Sequence, residues 1–595
     1  MWPQIIVFSV IIVTLFLFAH GKLRYDFVAL LALLVLVFSG IIKAEDAFKG
    51  FSHPAVITVA AVLIISNALT KTGAIERIVD LVNKGSDKIQ FKILSLMAIT
   101  AILSAFMNNV GALALIVPIT IRIAKNNNIS PSKLLMPVAF ASLLGGMLTS
   151  IGTPPNLIIS SYRVETGREA FSFFAFAPVG LGIVLVGILF TVLIGWKLIP
   201  TRDSTSLKER FNLEDYLFEL VVSEKCSPQG IKLKDFAATY GINLNVVSIL
   251  RGQRQIVSPG GSQEIFPHDI LIVKSMPSNL NELIHKTCLE LKGAKTDKLV
   301  SEKLLRSDDV ALVEVVLRND SHLIGRTAVE TKLRNRYNAN LIAVSRKGVY
   351  TVERLKKLRF NSGDILLLQA PKVSLTDMYE KMRCLPLSEE AVDLKIEDLT
   401  KKQWLTIIIF IAAILLAAFN VLPIQITFAS AALLLVILRI VTPREFYDSI
   451  EWPTIIMIGS LLVLGQALES SGASNSIATL IVKLSNTFSP ALILAFLMLL
   501  TIILTNVINN TAATILMAPI ALSVAIYLGV SPDPFLMAVV VGASSSFLTP
   551  IGHQSNTLVM GPGGYKFTDY WRLGLPLTII SLVVGIPLIL LVWPF

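Results

Sequence analysis

Charge is scarce in this chain. Only 16% of its 595 residues are Asp, Glu, Lys or Arg, against about 25% in soluble domains, which excludes an ordinary water-soluble globule of this size. Cysteine is scarcer: Cys226, Cys288 and Cys384 are all there is. An odd set with no metal-ligand spacing excludes a disulfide framework and a thiolate zinc site, and reads as free thiols in a reducing compartment. There is no HExxH and no GxxxxGK[S/T], and the PGG turns at 259–261 and 562–564 do not open a strand–turn–helix phosphate loop. No TVGYG-like run is present, which argues against a potassium pore. Nothing in the apolar segments has the pattern of an enzyme active site. The start, MWPQ, lacks a basic n-region and a small-residue cleavage site, so it reads as a retained first span.

Apolar residues are abundant. They make up 54% of the chain, and the mean hydropathy is +0.70. Runs at 5–19, 27–42, 179–196 and 405–418 approach the roughly 20 residues of a membrane span. The formal charge of +11 sits in short loops beside such runs and in a mixed-charge middle region. That distribution fits inner-leaflet anchoring and excludes nucleic acid as the partner. The pattern is also doubled. FMNNVGALALIVPI (106–119) and SIGTPPNLI (150–158) return about 400 residues later as VINNTAATILMAPI (507–520) and PIGHQSNTL (550–558). ALTKTGA (68–74) and ALESSGA (467–473) keep nearly the same offset.

From 201 to 400 the long apolar runs stop. This region repeats at an offset of about 95: PHDILIVKS (267–275) matches SGDILLLQA (362–370), and 216–236 resembles 310–330. Each copy is expected to begin with an alternating apolar strand, then a helix, then strands at 245–252 or 341–348 and at DILIV or DILLL. Two small α+β domains are expected, 207–291 and 299–385, between a first membrane repeat at 1–200 and a second at 401–595. Cores of about 80 residues are marginal alone, so a homodimer or mutual packing is expected, with a small regulatory ligand as a further possibility for these domains.

The basic residues Lys197, Arg202, Lys208, Lys401 and Lys402 place the insert, 201–400, in the cytoplasm. Carried outward from there, the charge rule holds only if the two halves are inverted copies. Ten spans are then expected, with two re-entrant hairpins whose tips are Asn108-Asn109 and Asn509-Asn510. The expected fold is a polytopic all-α membrane transporter in the plasma membrane, the inner membrane of a Gram-negative cell, and it is not an enzyme. Backbone breaks in hydrocarbon cost several kcal/mol unless protein or a wet cavity receives the freed groups. One intramembrane Asn is most often a helix contact, but four matched breaks call for a solute site at the interface of the halves. Carbonyls at half-helix ends suit a small cation and N–H groups suit an oxyanion; an Asn amide serves both. Gly152 and Gly552 permit close backbone approach, and Pro154, Pro155 and Pro550 stop the helix ladder. His53 and His553 have no ligand companions at useful spacing and are left out of the site.

Together Asn108-Asn109-Val110 with Gly152 to Asn156, and Asn509-Asn510-Thr511 with Gly552 to Asn556, resemble the paired motifs of the divalent-anion:sodium symporter family of the ion transporter superfamily. The middle domains resemble paired TrkA C-terminal domains, which points to the sulfate-permease-like branch. The resemblance implies sodium as coupling ion, held by Ser104, Asn108, Asn109 and Gly152 in one half and by Thr505, Asn509, Asn510 and Gly552 in the other. It implies an anion at Asn109, Thr153, Asn510, Thr511 and Pro550. The chain departs from the family pattern in having Asn for Ser in both triplets, Val110 for Thr, and His553-Gln554-Ser555 for Thr-Pro-Pro. The resulting expectation is sodium-coupled symport of a divalent oxyanion, sulfate before others. The alternatives are a sodium-coupled dicarboxylate transporter, a proton-coupled anion carrier and, last, a regulated cation channel.

Overall fold

The computed structural model describes residues 2–20, 23–71, 88–202, 217–223, 230–240, 246–252, 254–257, 259–274, 287, 289–291, 310–318, 321–346, 349–351, 355, 358–387, 401–483 and 489–595. Cys226, Cys288, Lys208 and residues 72–87 lie outside the described residues. The chain forms two compact units, Met1–Arg202 with Lys395–Phe595, and Asp203–Leu394.

The first unit is helical. Among the described residues, six of its helices are long and apolar enough to cross a membrane: Ala44–Thr70, Ile89–Phe106, Ala177–Leu198, Trp452–Ser470, Asn510–Leu528 and Phe567–Val592. Shorter apolar helices of 10–17 residues accompany them. This is a multi-pass membrane protein. Helix Ala177–Phe190 shows how such a surface is built. Leu181, Leu185 and Leu189, one turn apart, are 49%, 59% and 58% exposed, while Val179, Gly180, Ile183, Val184 and Gly187 face inward. One stripe suits lipid and the other packs. In Pro532–Ser544, by contrast, every residue is buried; it is a helix of the protein interior.

The helices stop where polar and helix-breaking residues fall. Ile89–Phe106 ends at Met107, which is extended (φ −128°, ψ 160°), and Asn109–Asn126 starts behind Asn108. Pro490–Thr505 gives way to Asn510–Leu528, which starts behind Asn509. Both second helices carry an interior proline, Pro118 and Pro519. Ser132–Gly145 stops, and Pro154–Glu165 resumes behind an extended Thr153. Pro532–Ser544 stops, and Gln554–Met560 resumes behind an extended His553. The prolines at 154 and 155 occupy the first helical positions, where a missing N–H costs nothing.

The second unit holds two five-stranded antiparallel sheets. The first is built from β1 (Leu217–Val222), β3 (Val246–Arg251), β4 (Arg254–Val257), β6 (Ile270–Lys274) and β7 (Leu289–Leu291), in the order β4-β3-β6-β1-β7. The second uses β8 (Val310–Leu317), β9 (Asn340–Arg346), β10 (Val349–Thr351), β11 (Ile365–Pro371) and β12 (Cys384–Pro386), in the order β10-β9-β11-β8-β12. Taken in chain order within each sheet, the two arrangements are the same. β2 (Ile231–Lys232) and β5 (Glu264–Ile265) form a small separate pair.

One ion pair recurs with the sheets. Arg251 donates from Nε and Nη2 to Asp269 at 2.9 and 2.8 Å, and Arg346 does the same to Asp364 at 2.9 and 2.8 Å. Both carboxylates are almost wholly buried. The hydrogen bond to Asp364 holds the Arg346 guanidinium above its usual pKa. The alternation expected of half-exposed strands is missing from β9 and β11, which are buried at every position but the last. Helices Leu333–Tyr337 and Leu375–Met382 contribute to the core they bound. Cys384 is a free thiol buried in this core, and burial pushes its pKa well up.

Candidate functional site

The helix ends put the sequence-derived residues into two kinds of position. Asn108 and Asn509 are helix caps. The Asn108 amide oxygen accepts from Val110 N at 3.3 Å, and that of Asn509 from Ala512 N at 2.7 Å. Both oxygens serve otherwise unpaired helix N–H groups. Asn509 also donates to Met457 Sδ at 2.9 Å. Their neighbours Asn109 and Asn510 are buried and turn toward the breaks.

Around Asn109 three oxygens converge. The Ser104 hydroxyl donates to the Ser142 carbonyl at 2.7 Å and lies 2.8 Å from the Asn109 amide. A hydroxyl has one hydrogen, so toward Asn109 it accepts, and Asn109 turns its nitrogen to it. That orientation also puts the nitrogen 3.1 Å from the carbonyls of Ser142 and Gly152, and its two hydrogens are shared among the three oxygens. The other end of the amide lies 3.4 Å from His553 Nε2. His553 caps helix Gln554–Met560, and its Nδ1 accepts from Ser555 N at 3.0 Å. A backbone N–H only donates, so Nδ1 carries no proton and the neutral ring has its hydrogen on Nε2. A donor thus faces the Asn109 oxygen, which agrees with the orientation set by the carbonyls.

The second half crosses over in the other sense. Asn510 donates to Thr153 Oγ1 at 3.3 Å, while its oxygen accepts from Thr511 N at 2.9 Å. The Thr511 hydroxyl lies 3.4 Å from the same oxygen. Asn109 therefore reaches the break of the second half, and Asn510 the break of the first. Gly152-Thr153 joins the two, because the Gly152 carbonyl serves Asn109 and the Thr153 hydroxyl serves Asn510.

Supporting bonds recur in both halves at the same spacing or within one residue of it. Ser104 donates to Ser142 O and Thr505 donates to Ala543 O, each across 38 residues. Asn156 donates to the carbonyls of Gly146 and Thr149, and Asn556 to those of Ser546 and Thr549. The Thr149 hydroxyl donates to Ala105 O and the Thr549 hydroxyl to Asn506 O. The glycines leave no room for a side chain. A Cβ on Gly152 would lie 2.7 Å from Gly146 O, and one on Gly552 would lie 2.8 Å from Thr505 O. Ion pairs brace the outer ends. Arg163 and Arg168 meet Asp533 at 2.9 and 3.0 Å, and Arg202 meets Asp569 at 2.8 Å.

Of the residues expected in the site, Ser104, Asn109, Gly152, Thr153, Asn510 and Thr511 form one connected network. Thr505 and Gly552 support it from the side. Pro550 is not tied to it: its carbonyl accepts from Thr557 at 2.6 Å, and proline has no N–H to offer an anion. His553 was passed over for want of companions close in sequence. Its companion Asn109 lies 444 residues away, and the usable signal was that His553 stands about 400 residues after Thr153. No charged residue occurs in 93–121, 134–162 or 534–565. Among the described residues no group of His, Cys, Asp or Glu has a metal-holding arrangement.

The second unit has an open cavity of about 460 Å³ lined by Arg251, Gly260, Ser262, Gln263, Glu264 and Phe266. Among the described lining residues the one cation, Arg251, is bound to Asp269 and lies over the Phe266 ring at 4.4 Å, so it offers an anion no free charge.

Comparison with known proteins places this arrangement in a family. The family model described as citrate transporter matches residues 14–542 and 489–594. An uncharacterized transporter of Synechocystis sp. is 33% identical over 98% of this chain and 96% of its own length. An uncharacterized transporter of Escherichia coli is 30% identical over 99% of both. Sodium/sulfate cotransporter 1 of Chlamydomonas reinhardtii is 27% identical over 58% of this chain and 40% of its own length. These findings correct the resemblance to the divalent-anion:sodium symporter family and its sulfate-permease-like branch. The paired Asn junctions and Pro breaks answer to backbone geometry and do not single out that family. The reading of two TrkA C-terminal domains falls with it: the second unit lies inside the citrate transporter match, and a small antiparallel sheet with one or two helices is too general a pattern to carry the name. The chain belongs to the citrate transporter family, and is a membrane transporter of small solutes, not an enzyme.

Proposed function

We propose that the protein is a secondary active, sodium-coupled transporter of a small carboxylate anion, of the di- or tricarboxylate class. Membership of the citrate transporter family carries this reading. The geometry supports it in two ways. Three uncharged oxygens around Asn109 suit a hard monovalent cation, and the uncharged donor groups of Asn510, Thr511 and His553, which bond to one another's neighbours in this structure, suit an anion that displaces those bonds and must be released again. A fixed cation in a dry site would hold the anion too firmly. In this reading the halves are inverted repeats, Asn109 and Asn510 stand at the tips of two re-entrant hairpins, and the 201–400 insert is cytoplasmic, with domains at 207–291 and 299–385 that join two copies of the chain. Sulfate is the second reading. It rests on the relatives from Chlamydomonas reinhardtii that are named sodium/sulfate cotransporters.

The test is uptake of labelled citrate, succinate and sulfate by purified protein in proteoliposomes under sodium, potassium or proton gradients. Saturable, sodium-driven carboxylate uptake that sulfate does not inhibit is expected. Sulfate uptake indifferent to both carboxylates moves the assignment to the second reading. Carboxylate uptake that follows a proton gradient and ignores sodium removes the sodium coupling.

A further inference from the structure

His553 and Asn109 form a contact with two mutually exclusive settings. In one setting the two Asn109 N–H groups point among the oxygens of Ser104, Ser142 and Gly152, shared between the three, and the amide oxygen receives His553 Nε2–H across 3.4 Å. A cation held by the same oxygens cannot share the cradle with an NH₂ group. It requires the amide to turn about its last torsion and present the oxygen instead, as a carbonyl ligand does for a hard cation. The nitrogen then faces His553. Nδ1 of that ring is already committed to Ser555 N, so Nε2 remains the hydrogen-bearing atom, and two donors stand opposed. The imidazole N–H has lost its acceptor in a buried place, which costs free energy until another acceptor arrives.

We propose that His553 is an anion-binding donor gated by the Asn109 amide: a cation in the Ser104–Ser142–Gly152 cradle turns the amide and frees His553 Nε2–H for an anionic oxygen of the substrate. The inference rests on the transport reading above and adds to it a route by which cation occupancy raises anion affinity, as reciprocal linkage requires. The corresponding residue in the first half is Thr153, and its hydroxyl accepts from Asn510. No such N–H is released there, so the device belongs to one half only. The elements around His553 bring no competing charge. Helix Gln554–Met560 has none, and in Asn109–Asn126 and Ser132–Gly145 the charged residues Arg122, Lys125 and Lys133 sit at ends remote from Asn109 and Ser142.

The test uses His553→Asn in the full-length protein. Asparagine is a good helix cap and keeps an acceptor for Ser555 N, but it cannot reach as far as Nε2. Thermal stability of purified protein is read in sodium chloride and in choline chloride, with and without citrate. Wild type should be stabilised by sodium, and further by citrate only when sodium is present. H553N should keep the sodium response and need roughly ten- to a hundredfold more citrate. Unchanged citrate dependence in H553N overturns the proposal, as does equal loss of both responses, which marks a structural role. A second measurement needs no variant to fold well and no anion. The Nε2 resonance of ¹⁵N-histidine-labelled wild type, assigned by proximity to Ser555 N, should shift on adding sodium alone, and no shift overturns the gating step. If wild type ignores citrate, succinate and sulfate, the substrate reading fails, while the sodium-dependent resonance still decides the fate of the Asn109–His553 device.

Discussion

Asn109 and Asn510 hold corresponding places in the two halves, yet their amides are used in opposite ways. Asn109 spends its nitrogen on its own half, where Ser104, Ser142 and Gly152 converge, and sends its oxygen across to His553. Asn510 spends its oxygen on its own half, at Thr511 N, and sends its nitrogen across to Thr153. A shared backbone plan therefore carries two different chemistries. The first half gathers oxygens, which is what a cation needs. The second half gathers donors, which is what an anion needs. On the proposed function, likeness in the frame and divergence in the amides are what a site for ions of both signs would need.

The frame is the easiest part to break. Gly152→Ala and Gly552→Ala each drive a Cβ against a backbone carbonyl, at 2.7 Å from Gly146 O and 2.8 Å from Thr505 O. Backbone cannot step aside as a side-chain tip can, and displacing a reacting geometry by about 1 Å costs on the order of a hundredfold. Initial uptake rates should fall by about that factor in both variants, measured at equal amounts of folded protein. A harmless G552A beside a damaging G152A would show that the two breaks do not share a plan.

The amides should separate the ions. Asn109→Ala removes a group from the oxygen cradle, and Asn510→Ala removes the donor that reaches Thr153. Loss of a buried hydrogen-bonding partner costs about 1–3 kcal/mol, roughly five- to 150-fold in affinity. N109A should raise the half-saturating sodium concentration by such a factor, and N510A should raise chiefly that of the anion. Concentration series for each ion at saturating levels of the other give both numbers. If both variants shift both ions equally, the division of labour drawn from their hydrogen bonds is wrong.

The two junctions and two breaks were legible because Asn, Gly and Pro punctuate the apolar runs, and the helices stop within a few residues of them. The role of His553 was not. Its partner is 444 residues distant, and periodicity within a helix says nothing about a pairing that exists only once the two halves have folded together. The same limit hid the difference between Asn108 and Asn109: adjacent in sequence, one closes a helix end and the other faces the break. In the second unit the strands of 310–317 and 365–371 could be anticipated from β-branched and Leu-rich runs, but the burial of β9 and β11 on both faces depends on what packs over them. The family could not be read from the junction motif, because that motif is dictated by broken helices in hydrocarbon and the solute leaves little mark on it.

A smaller change tests the bridge between the halves. Thr153→Val keeps the size and the extended backbone of the cap position (φ −150°, ψ 146°) and removes only the hydroxyl that accepts from Asn510 Nδ2 at 3.3 Å. That bond is long, and a neutral hydrogen bond contributes about 0.5–1.5 kcal/mol. Anion half-saturation should rise about three- to tenfold with sodium dependence unchanged, and Thr153→Ser should restore most of the loss. A T153V variant that shifted sodium more than the anion would attach Thr153 to the cation side.

The smallest effects are expected from the capping asparagines, and they sharpen the comparison because Asn108 and Asn509 adjoin the two site residues. Replacing a capping Asn by Ala costs about 1 kcal/mol of helix stability, and neither cap has a bond into the Asn109–His553 or Asn510–Thr153 contacts. N108A and N509A should therefore lower the melting temperature by a few degrees and leave both half-saturation constants within about twofold. The two should not be equal. Asn509 accepts from Ala512 N at 2.7 Å and donates to Met457 Sδ at 2.9 Å, whereas Asn108 accepts at 3.3 Å from Val110 N. N509A loses a short cap and a tie to the helix that contains Met457, so it should be the less stable of the pair. Asn→Asp at either position keeps the cap oxygen but places a negative charge in a weakly polar setting, so it restores stability only if water reaches that end of the helix. An N108A variant that moved sodium affinity as far as N109A would show that both neighbours serve the cation, and would erase the line drawn here between an asparagine that ends a helix and one that faces the solute.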